Sequence, residues 1–241
     1  MRDYFGRIFL SLKLKLMGIG RRNFLEYISA ALVGLTVHPL KAIAINSDNY
    51  VNKKFGILLT KPKNWEFVAI KDFGKLKNDQ VLSDEFEPNK GEVWDELGDP
   101  VLVIAKYGIN DPKFIDKFSP AITVFINHKN DIIEFYEDED IDADFEELVR
   151  MIDYGSGRIF KNYITNRSIT PYLLSECNGF DSEWTFTFES IEHKKSWRCK
   201  TWTIIIEKGD YIYSFNMIDS EEAGEVEEAN FREFVNTIKI A

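Results

Sequence analysis

The sequence has 241 residues, with 30 Lys and Arg against 40 Asp and Glu, and its formal net charge is −10. Hydrophobic residues make up 44% and charged residues 29%, a balance typical of globular proteins and unlike that of disordered or collagen-like chains. An acidic chain is a poor partner for nucleic acid, because phosphate contacts require positive charge. No apolar run reaches the roughly 18 residues of a membrane span, so no transmembrane segment is predicted in the mature chain.

The charge is distributed unevenly along the chain. Residues 1–44 contain seven Lys and Arg but only two Asp and Glu, which leaves 23 basic and 38 acidic residues for the rest. A basic head on an acidic body indicates a leader segment outside the fold. We therefore predict a leader over residues 1–44 and one domain over residues 45–241.

The leader has the three parts of an export signal, namely a basic region, a short apolar run and a small-residue cleavage site. They are the pair Arg21-Arg22 followed by Phe24 and Leu25, the apolar run 28–37, and the cleavage residues Ala42 and Ala44. The arginine pair resembles the twin-arginine motif, which directs folded proteins to the twin-arginine translocase. This predicts export to the periplasm, or to a thylakoid lumen in a photosynthetic host.

Two alternatives remain open for this segment. It can instead be an amphipathic helix in which the arginine pair occurs by chance. Translation can also start at Met17 rather than Met1, because the segment from Met17 onward is a more typical signal.

The first half of the predicted domain reads mainly as strands and connections. A polar leader over 46–54 precedes a strand over 55–60, which ends at a turn containing Pro62. Residues 71–100 are polar, contain Gly and Pro, and predict a long irregular connection. Two further strands are predicted over 101–107 and 121–128.

The second half combines two helices with a hairpin sheet. The apolar spacing predicts a helix over 142–153 that stops at Gly155, and a C-terminal helix from about Val226. Extended chain is predicted over 169–177, and aromatic and β-branched residues predict strands over 182–190, 197–208 and 211–218. Neighbouring strands that pair antiparallel, covered by helices, define an α+β fold with an antiparallel sheet between helices.

The two cysteines are predicted to stay free. Pairing residue 190 with residue 197 places Cys199 opposite Phe188, and Cys177 about eleven positions, or about 35 Å, further along the strand. A disulfide needs Cα atoms within about 7 Å of each other, so no disulfide is expected.

Several short motifs resemble those of PsbP-like proteins. They are Tyr50, Asn52 and Phe55-Gly56-Ile57, the turn Lys61-Pro62 with Trp65, the strand 119–124, the segment 177–179, and the end of the last helix at 237–239. PsbP is the extrinsic subunit on the lumenal side of photosystem II. The resemblance covers about residues 50–240 and implies an α/β/α sandwich that docks on a membrane protein complex.

A run of aspartates at alternate positions is a candidate calcium-binding segment. Asp138, Asp140, Asp142 and Asp144 occupy every second position, but an EF-hand loop from Asp138 would need Gly and Glu where the chain has Ala143 and Val149. A solvated acidic approach to the following helix is the preferred interpretation, and weak Ca²⁺ binding is the alternative. No other cofactor is predicted.

The sequence offers no recognisable catalytic motif. The histidines of the predicted domain, His128 and His193, lack a second ligand at metal spacing, and Gly155-Ser156-Gly157 is not a nucleophile elbow.

The aromatic residues Trp197 and Trp202 fall on opposite faces of one strand, so one of them is a candidate contact residue. We expect a non-catalytic, exported binding or assembly protein; the alternative is an exported hydrolase with a site assembled from scattered residues.

Overall fold

The computed structural model describes residues 43–107, 118–135, 144–221 and 225–241. Their strands are β1 (Ile43–Ile45), β2 (Asn49–Asn52), β3 (Ile57–Thr60), β4 (Glu66–Val68), β5 (Leu102–Ala105), β6 (Ala121–His128), β7 (Lys161–Leu174), β8 (Cys177–Ser190), β9 (Lys195–Lys208), β10 (Tyr211–Ser220) and β11 (Lys239–Ile240). Their helices are α1 (Ile70–Asp79), α2 (Lys90–Leu97), α3 (Lys129–Phe135), α4 (Phe145–Ile159) and α5 (Glu225–Thr237), with a 3₁₀ turn at Glu87–Asn89 before α2.

The strands form two antiparallel sheets. The larger sheet has the order β4-β5-β6-β10-β9-β8-β7, and the smaller has the order β1-β2-β3-β11. All pairings are antiparallel. The predicted α+β class, with an antiparallel sheet between helices, is confirmed.

One face of the large sheet packs against α5 and the small sheet. The alternation of β10 puts Tyr213, Phe215 and Met217 on this face. The apolar stripe of α5, which includes Phe231, Phe234 and Val235, closes over them. The strand predicted over 211–218 and the helix predicted from about Val226 are both observed.

The opposite face carries α4 and α3. Leu148 and Val149 of α4 and Ile132 of α3 pack on Ile205 and Ile212 of the sheet. Farther along the same strands, a third cluster forms around Trp184, Phe186 and Cys199. The large sheet is therefore covered on both faces, which explains why its central strands are nearly continuous in apolar residues.

Several predicted boundaries were wrong. Residues 71–100 contain α1 and α2 instead of an irregular connection, and the predicted polar leader contains β2. The helix predicted over 142–153 continues through Gly155 to Ile159. Gly157 is needed there because a Cβ at this position would lie 2.8 Å from the Tyr163 ring. Packing thus decides these ends, where glycine alone indicated a stop.

The β8–β9 hairpin has a shorter turn than predicted. Ser190 pairs with Lys195, so Phe188 faces Trp197 and Phe186 faces Cys199. The shift by two residues keeps each side chain on its predicted face, because side chains alternate with a period of two. The next turn, at Gly209 and Asp210, has two residues, with Gly209 at φ 61°.

None of the helices in the described ranges is long and apolar enough to cross a membrane.

Candidate binding site

A pocket opens where β10 extends beyond its neighbour β6. The pairing of β10 with β6 ends at Ile218, whereas its pairing with β9 continues through Asp219 and Ser220. The chain then enters α5, whose Phe231 packs back on the sheet. A cavity of about 410 Å³ lies between the sheet and the first turns of this helix. We call it the Asp219 pocket.

The walls of the Asp219 pocket are apolar. Trp202 on β9 is paired directly with Met217 on β10, so both side chains lie on the same face. Phe231 of α5 completes the wall, and its ring meets Trp65 edge-on at a centroid distance of 5.7 Å. These contacts hold the wall in one arrangement and leave the pocket open toward its charged rim.

Asp219 is a buried carboxyl that lines this pocket. It is 7% exposed, and its one hydrogen bond among the described residues comes from the Ser220 amide, which donates to Oδ1 at 2.7 Å. Burial raises the pKa of Asp219 to about 7; the charge of Glu227 adds to the rise, while the Ser220 amide and the charge of Lys106 oppose it. The carboxyl is therefore poised to gain or lose a proton near neutral pH.

The two lysines nearest to Asp219 are both engaged by other acids. The ammonium of Lys106 donates to Glu227, which is buried. Lys200 is the direct cross-strand partner of Asp219, yet its Nζ lies 3.5 Å from Glu183 and 3.9 Å from Glu228. Among the residues that the structure describes, both lysines are thus paired with other acids, and Asp219 forms no ion pair.

Glu183 at the rim belongs to a charged network that joins Arg167 of β7 to Asp181 of β8. Arg167 donates to both oxygens of Asp181, at 2.7 and 2.8 Å, and also contacts Glu183 at 3.1 Å. The indole Nε1 of Trp202 and the hydroxyl of Thr170 donate to Asp181 as well, at 3.0 and 2.6 Å. Burial opposes ionisation of Asp181, but these hydrogen bonds outweigh it and hold its pKa below the usual value.

The rim continues on α5. Arg232 donates to Glu228 one turn earlier, at 2.7 Å. The Arg232 guanidinium also lies over the Trp202 ring, 5.3 Å from its centroid. Trp202 is thus held through its N–H by Asp181 and across its ring by Arg232. The rim charges pair with one another and fix the aromatic wall.

A second pocket, of about 480 Å³, lies between α4 and β7. Burial raises the pKa of its Asp153, but this carboxyl accepts hydrogen bonds from Ser182 and Tyr163, at 3.3 and 3.4 Å. Arg150 pairs with Glu146 at its rim. Because Asp153 already has two protein donors, this pocket is the weaker candidate.

The structure describes only part of the predicted site residues. The export residues Arg21, Arg22, Phe24 and Leu25 lie outside the described ranges, as does Ala42. Ala44 is described: it is buried in β1, opposite Val51 of β2. The strand β1 therefore runs across the predicted cleavage site, and cleavage there stays a prediction.

The acidic stretch is also described only at its end. Asp138, Asp140 and Asp142 lie outside the described ranges. Asp144 is the N-cap of α4, since its carboxylate accepts a hydrogen bond from the Glu147 amide at 3.0 Å. In the part of the chain that the structure describes, no group of three or more His, Cys, Asp or Glu side chains could hold a metal ion.

The cysteines, one histidine and two tryptophans singled out in the sequence all pack against other residues of the fold. Cys177 and Cys199 are buried, and their pairing partners place them nine residues apart along β8, or about 30 Å. His128 packs edge-on against Tyr211. Trp197 and Trp202 lie on opposite faces as predicted, and Trp197 contacts Phe188 in the third cluster.

The Asp219 pocket was missed at the sequence level, although β10 carries a signal for it. The inward alternation Tyr211, Tyr213, Phe215, Met217 continues at Asp219, so an acid occupies a position whose spacing faces the core. Acids are rarely buried without a partner. An acid that continues an apolar alternation is therefore a useful marker of such a site.

Comparisons with known proteins concern the fold. No model of a known protein family matches the sequence, and no curated protein matches it significantly. Cyanobacterial PsbP from Synechocystis sp. PCC 6803 is similar in structure, with 11% identity and a TM-score of 0.45, over 85% of this chain and 99% of that one. LpqN of Mycobacterium tuberculosis, involved in cell envelope biogenesis, has 10% identity and a TM-score of 0.44, over 77% and 83%. The Saccharomyces cerevisiae Ran-binding protein Mog1p has 11% identity and a TM-score of 0.39, over 82% and 96%.

Proposed function

We propose that this protein is an exported, non-catalytic binding protein that docks peripherally on a membrane protein complex, at the periplasmic or lumenal side. One observation carries the proposal: a preorganised pocket whose rim charges are paired with one another, while its buried carboxyl, Asp219, forms no ion pair within the described ranges. A partner that supplies the missing charge gains an electrostatic contact in a partly desolvated site.

The acidic domain and the leader support the rest of the proposal. Residues 45–241 carry 38 acidic against 23 basic residues, so a basic docking face on the partner is favoured. The Arg21-Arg22 pair and the apolar run after it support export of the folded domain. The resemblance of the sequence motifs to PsbP-like proteins makes photosystem II the candidate complex in a photosynthetic host.

Fractionation of native cells tests this function. Membranes prepared at low ionic strength should retain the protein, and a wash with about 1 M salt should release it, because the Debye length then falls to about 3 Å. An integral membrane protein of the same preparation should stay in the pellet. A protein that remains in the soluble fraction at low ionic strength would overturn the docking function.

A second function is favoured by one specific feature. A carboxyl with a pKa of about 7 suits a general acid or base, and the Ser220 residue that follows it lines the same pocket. An exported hydrolase should turn over simple p-nitrophenyl esters, phosphates or glycosides, and both Asp219→Asn and Ser220→Ala should reduce its rate at least a hundredfold. A binding protein should show no turnover that depends on either residue.

A further inference from the structure

We propose that the Asp219 pocket receives the side chain of a lysine from a basic segment of the partner protein, with the lysine ammonium contacting Asp219. This inference rests on the proposed function and names the group that the pocket recognises.

The first support is the unused hydrogen-bonding capacity of Asp219. A carboxylate offers about four acceptor positions, and the Ser220 amide fills one of them on Oδ1. The side chain is nevertheless 7% exposed and lines the pocket. Because Asp219 lines the pocket, a donor that enters it can use the acceptor positions that the Ser220 amide leaves unfilled.

The second support is that no lysine of the described chain fills this position. Lys200 stands directly opposite Asp219 on the neighbouring strand, but Glu183 and Glu228 hold its ammonium. Glu227 holds Lys106 in the same way. These two lysines, the cross-strand neighbour of Asp219 and the cation that lowers its pKa, are therefore paired with other acids.

The third support is the shape and chemistry of the walls. Trp202, Met217 and Phe231 form an apolar wall that can cover the four-carbon stem of a lysine. The Trp202 ring already accepts the Arg232 guanidinium at 5.3 Å, so this wall tolerates positive charge. A lysine ammonium is a compact donor without a fixed fork geometry, so it can use any of the acceptor positions of Asp219 that the Ser220 amide leaves unfilled.

Charged groups on several of the described elements line the Asp219 pocket or act on its carboxyl. They are Glu183 on β8, Lys200 on β9, Glu221 after β10, Glu227 and Glu228 on α5, and Lys106 after β5. Burial raises the pKa of Asp219 to about 7. A lysine ammonium binds the ionised carboxylate, so binding should strengthen as the pH rises toward 8 and the carboxyl loses its proton.

The test uses the folded protein and the peptide acetyl-GKGGKGGKG-amide, with calorimetry at pH 5.5 and pH 8.0. The affinity of the wild type should rise about thirtyfold between these pH values, because it changes about tenfold per pH unit below the pKa of Asp219. Asp219→Asn should bind at least tenfold more weakly at pH 8.0 and lose the pH dependence. The same peptide with every lysine Nε-acetylated should bind neither protein.

A matched control removes the same charge elsewhere on the same hairpin. Asp210 is an exposed residue in the turn between β9 and β10, at the other end of β10 from Asp219. Asp210→Asn should bind the peptide like the wild type. Equal losses in the two variants would mean that only the general negative charge matters, and would overturn the lysine site.

The outcomes separate this inference from the proposed function. Wild-type protein that shows no binding, or Asp219→Asn protein that binds as well as the wild type, would overturn the lysine site even if both are retained on membranes. Peptide binding that depends on Asp219, in a protein never retained on membranes, would support the lysine site and overturn the docking function. Loss of peptide binding and of membrane retention together in Asp219→Asn would support both.

Discussion

Replacing Asp219 with Asn should stabilise the protein, and more so at higher pH. Asp219 has a pKa of about 7 in the folded state because it is buried, against about 3.9 in an unfolded chain. A raised pKa means that the folded state is favoured while the carboxyl keeps its proton, and that stability is lost as the pH rises through 7. With three pKa units between the two states, the Asp219 carboxyl lowers the free energy of unfolding by about 4 kcal/mol at pH 8 and by about 1.5 kcal/mol at pH 5.

Urea unfolding at pH 5 and pH 8 measures this effect. The gain in free energy of unfolding for Asp219→Asn should be larger at pH 8 than at pH 5 by about 2.5 kcal/mol. Asn retains an oxygen that can accept from the Ser220 amide, so the geometry should survive. Asp210→Asn, an exposed control, should change the free energy by less than about 0.5 kcal/mol at either pH. An equal gain at both pH values, or a loss at pH 8, would refute the reasoning.

Three further predictions concern export, folding and packing. Replacing Arg21 and Arg22 with Lys should trap the precursor in the cytoplasm, seen by fractionation; unchanged export would count against the twin-arginine route. Deleting residues 226–241 removes five buried apolar side chains of about 1.5–3 kcal/mol each and should abolish the cooperative melt, which a retained melt would contradict. Gly179→Ala should destabilise by about 1–3 kcal/mol in urea unfolding, because its Cβ would lie 2.4 Å from the Ile205 carbonyl oxygen. The control Gly74→Ala, with no atom within 4 Å of its Cβ, should not destabilise.

The fold class was readable from local periodicity. Strand β10 alternates over 211–217, and apolar residues recur at helical spacing from Phe231 to Ile238. Both patterns survive in the structure because these two sets of side chains pack in the same core cluster. The helix end predicted from a glycine was wrong. Gly155 indicated a helix end, yet α4 continues, since packing of this helix against β7 outweighs the local cost of glycine.

The sequence by itself determined the α+β class, the covering helices, and the opposite faces of Trp197 and Trp202, because these depend on spacing along one segment. The Asp219 pocket was decided by the tertiary structure alone. The pocket forms because β10 extends beyond the end of its pairing with β6 and because α5 packs over Trp202. Its charge depends on the pairing of Lys200 with Glu183 and Glu228. The burial that raises the pKa of Asp219 comes from elements far apart in the chain, so the alternation of β10 can mark this acid but cannot show the pocket around it.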